Sequence, residues 1–144
     1  MATIGITDVP TLRLEESFPA LASLRRSIRV FLAFSERVSR EAGLGAEEYQ
    51  ALLVIHSARA GVTTSYLAAQ LMLKPRATLE LVERLHQAGL VERTRDASDR
   101  RRVLVAPTST GRRLAARLIG KHLLEVRRNA PRLVEILSSL VDSR

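Results

Sequence analysis

Along most of this chain apolar residues recur every third or fourth position, but between residues 90 and 105 the pattern changes. Leu90-Val91-Glu92-Arg93-Thr94 and Arg102-Val103-Leu104-Val105 alternate or run apolar, as strands do. The polar run Arg95-Asp96-Ala97-Ser98-Asp99-Arg100-Arg101 separates them, and Pro107 closes the second. Strands joined by so short a loop pair as an antiparallel hairpin. An isolated hairpin is marginal in water, so this one must lean on helices. The expected fold is therefore mainly α with one small β-hairpin.

The helices can be read from spacing and end signals. A long amphipathic helix runs from about Ala20 to Ala42 through Leu24, Ile28, Phe31 and Val38, and Gly43-Leu44-Gly45 ends it. Residues 1–16, with Pro10 and no clear period, read as an extended arm. Glu47 and Glu48 open a second helix, where carboxylates favour the positive end of the dipole. It carries Tyr49, Leu52, Leu53, Ile55 and His56 and runs out near Ala60-Gly61. Thr63 caps a short third helix with Leu67, Ala68 and Leu71 inward. After Leu73-Lys74, Pro75 opens a fourth helix to Ala88, with Thr78, Leu81, Val82 and Leu85 inward and Gly89 as terminator. Beyond the hairpin, Thr108 or Thr110 caps a fifth helix through Leu114, Leu118, Ile119, Leu123 and Val126. Asn129 and Pro131 start a last one with Leu133, Ile136, Leu137, Leu140 and Val141.

Charge is not spread evenly. The net charge is +8, and residues 74–117 hold eleven basic and five acidic side chains, whereas 41–73 are net acidic. Such clustering points to a polyanion partner. The aromatic residues Phe18, Phe31, Phe34, Tyr49 and Tyr66 all lie outside 74–117. Single-stranded nucleic acid is held largely by aromatic stacking, so duplex DNA is the better match.

Short helix, tight turn, helix, then a hairpin with a basic tip is the order of a winged helix-turn-helix. The second helix of such a pair fits the major groove, and an arginine on the hairpin tip can enter a narrow minor groove. Leu-rich faces near both chain ends carry more apolar surface than a small winged domain can bury, which suggests a two-fold dimer.

At this point Val62 to Leu71, Leu85 to Arg93, and Asp96-Ala97-Ser98-Asp99-Arg100-Arg101 followed by Val103-Leu104-Val105 resemble the MarR (multiple antibiotic resistance regulator) family. Pro107-Thr108-Ser109-Thr110-Gly111 is similar to that family's leucine-threonine-x-x-glycine start of its fifth helix, with Pro107 in the leucine position. The resemblance implies a dimeric regulator of transcription, commonly a repressor, that binds pseudo-palindromic double-stranded DNA and is often released by a small organic ligand. It implies dimerisation through the first and last helices. The chain is then one unit over 1–144, with the winged helix-turn-helix at about 46–106 and dimerisation helices at about 17–42 and 108–144. It carries the wing aspartate and minor-groove arginine onto Asp99 and Arg100, with Arg101 beside them. Groove-facing positions fall on Lys74, Arg76, Ala77, Leu79, Glu80 and Arg84, and the start of the supporting helix falls on Thr63, Thr64 and Ser65. Lys74 replaces a frequent serine cap, Met72 a frequent glycine, and Glu80 a position that is often basic.

Locally, Arg101 is expected to pair with Asp99 or Asp96 and stiffen the tip. Arg84 either contacts phosphate or pairs with Glu80. His56 reads as a partly buried core residue. His56, His86 and His122 lie too far apart in sequence to suggest a metal site, and there is no cysteine. No phosphate loop, nucleophile elbow or paired carboxylates point to catalysis, so neither an enzyme nor a cofactor is expected. No apolar run approaches the roughly 20 residues of a membrane span, and the N-terminus lacks the pattern of a signal peptide, so a cytoplasmic location is expected. A second reading is a winged-helix interaction module that has lost DNA binding, favoured by Leu79 and Glu80.

Overall fold

The computed structural model describes residues 14–58 and 60–142. It is mainly helical with one two-stranded antiparallel sheet. The first helix, α1, spans Leu14–Glu41, with Glu15 and Glu16 in its first turn and Arg40 in its last. It starts before Ala20, because acidic residues stabilise the N-terminal turn. Pro19 lies only one turn in and removes a single backbone bond. Residues 14–16 are therefore helical rather than part of an arm, and the rest of that segment, 1–13, lies outside the described residues.

The described residues fall into two compact units, 14–34 with 123–142, and Ser35–His122. In the second unit, α2 is Ala46–His56, α3 Thr64–Leu71 and α4 Pro75–Gln87. Strand β1 is Val91–Arg95 and β2 is Val103–Pro107, and α5 is Ser109–Val141. Leu52, Ile55, Leu67, Leu81, Val82, Leu85, Val91 and Val105 are fully buried and form its core.

Helix α2 ends sooner than its apolar pattern suggests. The Ser57 hydroxyl donates to the Val54 carbonyl at 2.6 Å, and the Ser57 N–H is shared between the Leu53 and Val54 carbonyls. Those bonds satisfy the last turn and release the chain. Gly61, at φ +92°, then lets Val62 pair with Val105 through two backbone hydrogen bonds of 2.9 and 2.7 Å. Any Cβ at Gly61 would meet the Val105 carbonyl oxygen at 2.8 Å.

The side chain of Thr63 accepts from the N–H of Tyr66 and caps α3. Helix α3 ends at Met72, which adopts the left-handed conformation (φ 56°, ψ 38°) with its side chain 83% exposed. That backbone costs about 1–2 kcal/mol for a residue with a Cβ, and an exposed side chain recovers little of it. Met72→Gly should therefore raise stability by up to about 1 kcal/mol, since glycine's extra freedom in the unfolded chain cancels part of the gain. Denaturant unfolding would read this as a shift in midpoint, and Met72→Ala should show no comparable gain.

Gly89, at φ +74°, ends α4, and the Leu90 N–H bonds back to the Leu85 carbonyl. Leu90 thus belongs to the helix stop, so β1 begins one residue later than its alternation suggests. Strand pairing runs from Val91 opposite Pro107 to Arg95 opposite Val103. Pro107 is the last paired residue of β2 rather than a residue beyond it.

The chain after the hairpin is one helix, not two. The Thr108 side chain accepts from the Gly111 N–H at 3.0 Å and donates to the Gly89 carbonyl at 2.6 Å, so Thr108 rather than Thr110 is the cap. Helix α5 then runs through Pro131. Asn129 does not cap a new helix. Its side-chain amide donates to the Glu125 carbonyl and carboxylate, both at 2.9 Å, as an interior helical residue does.

His122, not its neighbour Leu123, faces the core of the second unit, and it stacks on Tyr49 with ring centroids 4.3 Å apart. Its Nδ1 lies 2.6 Å from the Leu118 carbonyl, which can only accept. Nδ1 therefore carries a proton, and Nε2 is hydrogen-bonded to the Ser35 hydroxyl at 2.9 Å. Burial raises the Tyr49 phenol above its usual pKa. His56 is half-buried, with Nδ1 at 2.7 Å from the Leu52 carbonyl. Among the described residues no three acidic or histidine side chains gather as a metal site, and no helix is long and apolar enough to cross a membrane.

Candidate nucleic-acid interface

Two features of the Ser35–His122 unit present charge to solvent: the outer face of α4 and the loop between β1 and β2. Helix α4 turns Thr78, Leu81, Val82 and Leu85 inward. That orientation leaves Arg76, Ala77, Leu79, Glu80, Glu83 and Arg84 outside, and Lys74 is exposed just before the first turn. Lys74 occupies the cap position without a side-chain cap bond, and the buried Thr78 hydroxyl donates to the Lys74 carbonyl at 3.0 Å. Pro75 at the first helical position has no N–H to leave unpaired. On α3, Thr63 is committed to capping, Thr64 is half-buried and Ser65 is exposed.

The arginines of α4 have carboxylate partners. Arg76 Nε lies 3.6 Å from Glu80 Oε1, one turn along the helix, and the Arg76 side chain is 93% exposed. Arg84 does not pair with Glu80. Its Nε lies 3.5 Å from Glu48 Oε1 on α2, a partner that helix spacing cannot reveal. Exposed pairs of this kind hold for little net energy, and a phosphate can displace either carboxylate. A third pair joins α4 to the hairpin, with Arg93 Nη2 2.6 Å from Glu83 Oε2.

The hairpin loop is wound around two aspartates. Asp96 Oδ1 accepts from both the N–H and the hydroxyl of Ser98, at 3.0 and 2.8 Å. Asp99 Oδ1 accepts from the N–H of Arg101 at 3.1 Å. Arg102 Nε stands 4.0 Å from Asp96 Oδ2, and Arg95 Nη1 donates to the Arg100 carbonyl at 2.9 Å. The side chain that pairs within the tip is thus that of Arg102, whereas Arg101 is held through its backbone. The side chains of Arg100 and Arg101 are exposed and have no ion-pair or hydrogen-bond partner among the described residues. From Arg95 to Arg102 four arginines face two aspartates, a net charge of +2.

Two carboxyls of this surface are held below the usual carboxylate range. Hydrogen bonding to Arg93, then its charge, lowers Glu83. The two Ser98 hydrogen bonds dominate the lowering of Asp96, with Arg102 contributing less. A group whose folded pKa is depressed stabilises the fold above its unfolded pKa and loses that contribution as pH falls through the folded value. The Glu83–Arg93 link should therefore open only in acid. Carboxyl NMR titration should place each group below the ordinary value for its residue type. Arg93→Ala should return Glu83 to its ordinary range and leave Asp96 where it is.

The comparisons with known proteins agree with this geometry. A model of the MarR family matches residues 42–102, the segment that contains α2, α3, α4, β1 and the wing loop. No functionally curated protein is significantly similar in sequence. Among solved structures, CouR from Rhodococcus jostii RHA1, bound to p-coumaroyl-CoA, superposes with a TM-score of 0.70 at 27% identity, covering 90% of this chain and 96% of that one. A MarR-family transcriptional regulator from Rhodococcus sp. RHA1 gives a TM-score of 0.67 at 28% identity, covering 83% and 86%. A variant of MepR from S. aureus, bound to an oligodeoxyribonucleotide, shares the fold at 21% identity with a TM-score of 0.62, covering 83% and 97%. The matched segment is similar to the MarR family, and the chain has the fold of that family's transcriptional regulators.

Proposed function

We propose that the protein is a dimeric, sequence-specific regulator that binds pseudo-palindromic double-stranded DNA in the cytoplasm, acting as a repressor released by a small organic ligand. The observation that carries this reading is the pairing of an outward-facing α4 with a wing tip whose Arg100 and Arg101 side chains are unpaired. Unpaired exposed guanidinium groups need no partner displaced before they meet phosphate or a minor groove. Lys74, Arg76, Ala77, Glu80 and Arg84, with Thr63, Thr64 and Ser65 behind them, are proposed to face the major groove and its phosphates. Asp99, Arg100 and Arg101 are proposed to face the minor groove. The DNA-bound MepR relative supports this use of the fold.

Dimerisation is proposed to use the unit of residues 14–34 and 123–142. It leaves Phe18, Leu32, Leu124, Val134 and Val141 exposed, more apolar surface than a monomer usually shows. Truncation after Arg128 should therefore yield monomer or aggregate in sedimentation, and a soluble, unchanged dimer would overturn the claim. The same unit holds a cavity of about 460 Å³ lined by Ile28, Phe31, Val126 and Leu133, with Arg26, Asn129 and Arg132 among its polar residues. An apolar cavity with a few polar groups suits a small organic ligand, and the CouR relative was solved with an acyl-coenzyme A.

Selection of bound duplexes from a random pool tests the central claim. Enrichment of a pseudo-palindrome, with affinity for random duplex falling steeply with salt, is the expected result. Absence of any salt-dependent duplex binding would overturn it.

A further inference from the structure

Leu79 is 52% exposed on α4, although the helix already fills its core face with Thr78, Leu81, Val82 and Leu85. A single exposed leucine is common, so position has to carry the argument. Leu79 lies between Arg76 and Glu80, which pair with one another, and four residues before Glu83, which is linked to Arg93, so these neighbouring charges are engaged with partners. Glu80 and Glu83 also repel phosphate on this part of the helix. What α4 offers here, beside Ala77, is an apolar side chain that is half exposed and lies outside the helix's core face. On the edges of base pairs in the major groove, the one apolar group is the C5-methyl of thymine.

We propose that Leu79 is a specificity-determining residue that reads a thymine methyl group in each operator half-site. This rests on the reading that α4 enters the major groove, and the test keeps the two apart. The probe is a labelled duplex carrying the most enriched sequence from the random-pool selection. Each thymine is replaced in turn by deoxyuridine, which removes only the methyl group. For the full-length protein, one position per half-site should weaken binding about fourfold, the value of one buried methyl-sized group. The symmetric double replacement should weaken it about 15-fold, the product of two such losses. In Leu79→Ala the sensitivity at that position should vanish, so that the thymine and deoxyuridine duplexes bind alike. The substitution lies on an exposed helical site, where alanine is well tolerated. If the wild type ignores every thymine-to-deoxyuridine change, or Leu79→Ala keeps the wild-type sensitivity, the inference is overturned while DNA binding stands. Failure to bind any duplex in a salt-dependent way would overturn both.

Discussion

Gly111→Ala should remove a large part of the folding stability of this protein. Gly111 is buried in the first turn of α5, and a Cβ there would sit 2.0 Å from the Leu90 carbonyl oxygen and 3.0 Å from its carbon. Those atoms are backbone, and they cannot retreat cheaply. The Leu90 carbonyl accepts from the Thr108 N–H at 3.1 Å, and the Leu90 N–H is bonded to Leu85 at 3.0 Å. The Thr108 hydroxyl ties the same corner to Gly89 and to Gly111 itself. Relieving the clash means pulling the start of α5 off the end of α4 and breaking that set of bonds. The expected loss is at or above about 3 kcal/mol, the upper end of ordinary overpacking. Gly120 is the control. It lies on the exposed side of the same helix with open space around it, so Gly120→Ala should stabilise by up to about 1 kcal/mol. Denaturant unfolding followed by circular dichroism measures both. A Gly111→Ala midpoint close to wild type would refute the argument.

The second large effect is expected in binding. Arg100→Ala should weaken binding to the selected operator by about 1–3 kcal/mol and leave folding and assembly intact. The Arg100 side chain is exposed and unpaired, so nothing in the fold depends on it, while its carbonyl is fixed by Arg95. Arginine suits a narrow minor groove and leaves water at lower cost than lysine. The loss should be largest for A·T-rich flanks, and the salt dependence should shrink by about one counterion per subunit. Arg101→Ala should cost less, because the Arg101 backbone is held by Asp99 and its side chain is the second cation at the tip. Abolished binding for Arg101→Ala with none lost for Arg100→Ala would reverse the two roles. If neither mattered, the wing would not touch DNA.

Elements with strong end signals were legible in the sequence. Thr63, Pro75 and Gly89 mark the edges of α3 and α4, and each acts locally, through a cap bond, a fixed φ or a left-handed turn. Pro131 and Asn129 misled for the same reason. They are good helix-start residues, yet Asn129 finds its partner one turn back and the helix continues. The pairing of Val62 with Val105 was invisible because a single valine has no alternation to show. His122 lies four residues beyond Leu118 on the inward face, but a reading based on apolar residues passes over it in favour of Leu123. In the candidate site, the polar loop and its exposed arginines could be located from sequence. Their partners could not. The contacts of Arg84 with Glu48 and of Arg93 with Glu83 join residues far apart along the chain.

Arg93 and Arg95 lie two residues apart on β1, and so on the same side of the strand. Arg93 grips Glu83 on α4, while Arg95 grips the backbone of Arg100 at the wing tip. One strand face thus links the helix to the loop at a fixed spacing. On the proposed reading, the number of base pairs between the sequence read by α4 and the flank entered by Arg100 is set by the protein. On that reading, operators that lengthen or shorten this gap by a single base pair should bind more weakly even where each part matches.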